Sequence, residues 1–125
     1  MMYLMPNAIE SKGIAVLKEV LTRQGRKVEN SDSKTFDLKV DGKYAEVKTK
    51  HTPYNKLDFL SFTDKQYDKI SKEDFLIFLI CNIDDPEQAE IYEFSSKELR
   101  EIAPKKYTSH EFNKSVIDRI EKTKI

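Results

Sequence analysis

A chain of 125 residues has the size of one domain with a real hydrophobic core and leaves no room for a second. Apolar residues make up 38% and charged residues 35%, a soluble globular profile with a heavily charged surface. The 22 basic and 22 acidic side chains cancel, which argues against a dedicated, strongly basic nucleic-acid binder but permits a local basic groove.

The first expected element is a helix from about Asn7 to Gln24, with Ile9, Val16, Leu17, Val20 and Leu21 at helical spacing and Gly25 as its stop. Its start, MMYLMPN, lacks the charged opening and long apolar run of a signal peptide. No apolar stretch approaches the roughly 20 residues of a membrane span, so a reducing cytoplasm is expected. A first strand is expected over Arg26 to Asn30. Then Phe36, Leu38 and Val40 alternate with Asp37 and Lys39, and Tyr44, Glu46 and Lys48 alternate with Ala45, Val47 and Thr49. Period-two patterning on both sides of Asp41-Gly42 is a hairpin signal.

A loop from His51 to Phe62 is expected next, then a helix over about Asp64 to Lys72. Phe75 to Cys81 is apolar on both faces, as in a buried central strand, and Cys81 reads as inert packing. Asp84-Asp-Pro-Glu makes a turn and Ile91 to Phe94 a further strand. Ser95 opens a short helix that Pro104 ends, and Phe112, Val116, Ile117 and Ile120 suggest a last amphipathic helix begun near His110. The expected fold is α/β: a mixed sheet flanked by helices, with an αβββαβ core over about residues 7–95 and a helical extension over 96–125.

The stretch from Thr35 to Thr49 carries the chemistry. With Asp41 and Gly42 as a two-residue loop, Val40 faces Lys43, Leu38 faces Ala45, and Asp37 lies opposite Glu46. Opposed residues on one sheet face have Cβ atoms roughly 4.5–5.5 Å apart, so two acids there call for a cation between them. Mg²⁺ typically takes one or two carboxylates and keeps several waters. Lys48 shares that face, within reach of a metal-bound water or a phosphate. Asp-Gly-Lys also suits a three-residue loop with a G1 bulge, which shifts the pairing by one. The bland alternative is a solvated strand face carrying Asp37, Glu46 and Lys48 as surface filler.

The pattern Asp37-x8-Glu46-Val47-Lys48, after a helix and before a helix bearing Gln66, resembles the PD-(D/E)XK phosphodiesterase superfamily. That superfamily has the restriction-endonuclease-like fold and includes Mrr-type restriction nucleases and Holliday-junction resolvases. Phe-Asp-Leu…Glu-Val-Lys-Thr, with Leu-Ser-Phe-Thr-Asp-Lys-Gln further on, also resembles the nuclease-like domain named after the plant protein NO VEIN. The resemblance covers roughly residues 7 to 83 and departs at position 36, where Phe36 stands in place of the motif's proline. It implies a Mg²⁺- or Mn²⁺-dependent nuclease acting on nucleic acid, DNA in preference to RNA. Asp37, Glu46 and the carbonyl of Val47 would be its metal ligands, and Lys48 would act on the attacking water. Glu10 and Gln66 would be its helix-borne helpers.

Both helpers have bland readings. Asn7 and Glu10 have capping-box spacing, as do Thr63 and Gln66. On a helical wheel, however, Glu10 falls in the apolar sector with Ile14 and Leu21. Lys50, His51, Lys56, Lys65 and Lys69 are candidates to meet a phosphate backbone, and Tyr54 and Phe59 to stack on bases. Lys105-Lys106-Tyr107 is a further small basic spot. A homodimer is compatible with a small nuclease that must cut two strands. The alternatives are an inactive nuclease-like module that binds nucleic acid or a protein, and a toxin-type RNase with the same residues.

Overall fold

Helix α1 (Met5–Arg23) ends in a Schellman arrangement: Arg26 N donates to Leu21 O, Gly25 N donates to Thr22 O, and Gly25 takes φ +84°. The computed structural model describes residues 5–102, 105–106 and 110–125. Because α1 already runs through Asn7, that residue is inside the helix and does not cap it. Glu10 therefore loses its capping-box reading.

Strands β1 (Val28–Asn30), β2 (Leu38–Val40) and β3 (Lys43–Thr49) form an antiparallel meander. The β2–β3 register pairs Val40 with Lys43 and Leu38 with Ala45. Asp41 (φ +52°) and Gly42 (φ +82°) are both left-handed, the signature of a two-residue type I′ turn, so the three-residue bulged loop is not formed. Asp41 is held there by Arg26 Nε at 2.9 Å and by the Lys27 amide at 3.0 Å.

The expected loop between His51 and Phe62 is more ordered than its composition suggests. It holds a short 3-10 helix (Tyr54–Lys56) and strand β4 (Phe59–Phe62), in which Leu60 and Phe62 are buried. Helix α2 (Asp64–Lys72) follows, opened by a full capping box in which Thr63 and Gln66 each bond the other's amide. Strand β5 (Leu76–Cys81) then runs parallel to β3, and β6 (Glu90–Ser95) antiparallel to β5. Ser95 caps α3 (Ser96–Arg100) through the amide of Lys97. Pro104, expected to end that helix, lies outside the described residues.

The C-terminal segment departs from the expected helix. Lys105–Lys106 form β7, His110–Asn113 form β8, only Lys114–Ile117 are helical (α4), and Thr123–Lys124 form β9. Phe112 belongs to β8 opposite Leu60, and His110 opens that strand instead of a helix. The apolar spacing there fits a helix, but burial against β4 overrides it.

The result is α/β: a mixed, mostly antiparallel sheet in the order β1-β2-β3-β5-β6-β9, flanked by helices, with a second sheet β4-β8-β7. Leu17 and Leu21 of α1 pack on one face with Val40, Val47, Phe78 and Ile80. On the other face lie Ile77 and Leu79 with Ile70 of α2, Leu60, Phe62, Leu99 and Phe112. Strand β5 is thus buried on both sides, and Cys81 is fully buried with its thiol pushed up to about 12 by burial. Among the described residues no helix is long and apolar enough to cross a membrane.

Candidate active site

The site forms where β2 and β3 part. Their pairing ends at Leu38 and Ala45, whereas β3 continues to Thr49 against β5. The Lys50 amide donates to Ile80, so the alternate residues Ala45, Val47 and Thr49 turn their backbone groups toward the side β2 has left. Asp37 fills the vacated place. Its amide donates to Ala45 O at 3.1 Å, and its Oδ2 accepts the Val47 N–H at 2.8 Å. Asp37 is therefore not a ladder partner of Glu46, as the simple register implied, because its carboxylate has replaced the next backbone partner. The carbonyl of Val47 points the same way as its amide, into the fork.

Glu46 is buried, with only 5% of its surface exposed. Its Oε2 accepts Gln66 Nε2 at 3.1 Å, and Lys69 Nζ stands 4.0 Å from Oε1. Gln66 Oε1 in turn accepts Lys48 Nζ at 3.0 Å as well as the Thr63 amide at 3.0 Å. One glutamine thus closes the start of α2, as the capping-box spacing implied, and also ties Lys48 to Glu46. Lys48 Nζ also lies 4.7 Å from the Phe62 ring centre.

Electrostatics bind Glu10 to the same cluster. Burial pushes Glu10 up to about 7, the charges of Asp37 and Glu46 push the same way, and Lys48 opposes them. Glu46 is raised to about 7, first by burial and then by Asp37, against the pull of Lys69, Lys48 and the Gln66 hydrogen bond. Burial holds the Lys48 ammonium below the ordinary lysine value despite Glu10, Glu46 and Asp37 nearby. The folded chain therefore gathers three acids that its own cations neutralise incompletely.

Among the described residues no three His, Cys, Asp or Glu side chains are grouped closely enough to cage a metal ion. The donors present are hard oxygens: Asp37, Glu46 and the Val47 carbonyl, with Glu10 near. That set fits a hard divalent cation that keeps most of its waters and does not fit a soft or imidazole-bound metal.

Two residues make contacts at the site that the sequence-based reading did not assign them. Lys69 was expected on a phosphate-facing surface, but its Nζ donates to Thr35 O, covers the Phe36 ring at 4.0 Å and faces Glu46. Its spacing of three from Gln66 on one helix was the available signal. Gly13 is the second: a Cβ there would lie 2.1 Å from Thr49 Oγ1, so only glycine lets α1 sit this close to β3. Its place between Glu10 and Leu17 on the buried face of α1 was the hint.

The outer basic candidates scatter. Lys50 pairs with Asp58 at 3.2 Å and lies over Phe59, and His51 Nδ1 meets Asp84 Oδ1 at 2.8 Å. Tyr54 packs on Tyr92 and donates to Asp118, so it anchors its loop. Lys56 is exposed on the 3-10 helix, and Lys65 lines a cleft beside Gln66. Lys105 and Lys106 lie on β7, and Tyr107 is outside the described residues.

In comparisons with known proteins, no family model, no curated protein and no solved structure matches this chain.

Proposed function

We propose that the protein is a metal-dependent phosphodiesterase that hydrolyses nucleic acid, DNA in preference to RNA, in the manner of the PD-(D/E)XK nucleases with their restriction-endonuclease-like fold. The observation that carries this reading is the meeting of Asp37, Glu46 and Lys48 at the strand fork, with Glu10 in electrostatic contact. Surface filler has no reason to be buried, linked through Gln66 and mutually repelling. Three crowded acids weaken a fold unless a ligand rewards them.

In this reading Asp37, Glu46 and the Val47 carbonyl hold one Mg²⁺ or Mn²⁺. Bound there, such an ion lowers the pKa of a water and neutralises phosphate oxygens. Lys48 directs its ammonium protons at the attacking water and at the charge developing on the phosphate. Gln66 fixes Lys48 relative to Glu46, and Lys69 limits the repulsion between Glu46 and Asp37. Glu10, kept partly protonated near neutrality, contributes an acid at the rim of the cluster.

The test is cleavage of single-stranded, duplex and branched oligonucleotides with Mg²⁺ or Mn²⁺. The expected result is metal-dependent cleavage that disappears in Asp37→Ala, Glu46→Ala and Lys48→Ala. Wild-type protein that binds no divalent cation and cuts none of these substrates sinks the proposal. A nuclease-like module that only binds is the second reading, favoured by the neutral net charge and by the pairing of Lys50 and His51 with Asp58 and Asp84. Nucleic-acid binding that survives loss of all three site residues supports it.

A further inference from the structure

A cleft of about 360 Å³ opens between α2 and the segment before β2, and Gln66 and Lys69 belong to both the cleft and the catalytic cluster. Its outer wall carries Lys34 and Lys65, both exposed. Among the described residues neither makes an ion pair or a hydrogen bond. Neighbouring cations are committed: Lys69 to Thr35 O and Glu46, Lys72 to Asp68 at 3.1 Å, and Lys50 to Asp58. Asp68, the one acid in the lining among the described residues, is thus paired with Lys72. In a chain with equal numbers of acids and bases, two uncommitted lysines facing one cleft leave it locally positive.

The other polar groups there favour an acceptor ligand. Thr63 Oγ1 accepts the Gln66 amide, which leaves its hydroxyl proton free to donate into the cleft. Among the described residues no aromatic side chain lines the cleft, so they offer a base nothing to stack on. A phosphate, which only accepts, suits this wall.

We infer that this cleft is a subsite for the phosphate flanking the scissile one, held by Lys34 and Lys65 with help from Thr63. The inference rests on the nuclease reading for its orientation, because a strand laid across Glu46 and Lys48 carries a further phosphate at every nucleotide. The subsite makes substrate length matter: a diester with one phosphate cannot use it, and an oligonucleotide can.

The experiment compares Lys34→Gln, Lys65→Gln and their double variant with wild type and with Lys27→Gln, an exposed lysine that does not line the cleft. Substrates are a single-stranded 12-mer and bis(4-nitrophenyl) phosphate. For the double variant kcat/KM on the 12-mer is expected to fall roughly tenfold, chiefly through KM, and the salt slope of binding to flatten by about 1.4 for two lost contacts. The loss on the single-phosphate diester is expected to be several-fold smaller. Equal losses on both substrates, or an unchanged KM and salt slope on the 12-mer, overturn the subsite.

If wild type cleaves neither substrate, the nuclease reading fails, and anisotropy of a labelled 12-mer then decides the subsite. Weaker, less salt-dependent binding by the double variant upholds it as a backbone-phosphate site alone. Binding identical to wild type, or no binding by wild type, removes it.

Discussion

Asp37 Oδ2 takes the Val47 amide at 2.8 Å, so a side chain stands where the next residue of a neighbouring strand would have been. That bond gives Asp37 a structural role beside its proposed chemical one, and the two separate by substitution. Asp37→Asn keeps an oxygen for Val47 and removes the charge that raises Glu10 and Glu46. It is expected to fold at least as stably as wild type while losing cleavage. Asp37→Ala strands a partly buried N–H, at a cost of about 1–3 kcal/mol. Urea unfolding beside a cleavage assay checks both. An active Asp37→Asn variant contradicts the proposed role.

Stability of the metal-free protein is expected to fall as pH rises from 5 to 8. Glu10 and Glu46 both titrate near 7 in the folded chain, above their ordinary 4.5. The folded state therefore binds protons more tightly than the unfolded state. Their contribution is complete below about pH 4.5 and is lost as pH climbs through 7. At about 1.4 kcal/mol for each pH unit between folded and ordinary values, and after screening at the partly open Glu10, the combined change is on the order of several kcal/mol. Glu46→Gln is expected to flatten the profile, and Mg²⁺ at pH 8 to restore part of the loss. A flat wild-type profile refutes the crowding of these acids.

Gln66 separates cap from site. Gln66→Ala removes half of the capping box and both links to β3, with an expected loss of about 1 kcal/mol and of most cleavage. Gln66→Glu keeps an oxygen for Thr63 and Lys48 but sets a carboxylate against Glu46. It is expected to retain the helix start by circular dichroism and still lose cleavage. Full activity in Gln66→Glu assigns the residue to the cap alone.

Gly13 tests how α1 is seated. Gly13→Ala places a methyl 2.1 Å from Thr49 Oγ1, and overpacking of this kind typically costs about 1–3 kcal/mol. Thr49→Ala removes the two nearest atoms, so the double variant is expected to recover most of that loss. Alanine's better helix propensity, worth roughly 1 kcal/mol over glycine, aids the recovery. Additive losses in a thermal-unfolding cycle show that the two residues do not meet.

The hairpin was legible because its signals are local. Asp41-Gly42 meets the demand for two left-handed residues, and alternation on both sides sets the register that pairs Leu38 with Ala45. Helix α2 was legible to the residue, because Thr63 and Gln66 punctuate its start. The apolar run of β5 announced burial on both faces, since only a central strand tolerates it.

Contacts between distant segments were not legible. Phe59 to Phe62 pairs with a strand some fifty residues later, and the partner's own spacing imitates a helix until Phe112 is seen against Leu60. Lys69 turns inward only because α2 lies over Phe36 and Glu46. Asp37, Glu46 and Lys48 could be nominated from spacing alone, since strand periodicity is a property of the covalent chain. Folding decided that β2 stops short, that Glu10 comes near across the gap, and that Gln66 spans Lys48 and Glu46. Burial and like charge, the terms that make this cluster costly, exist only once those segments are packed together.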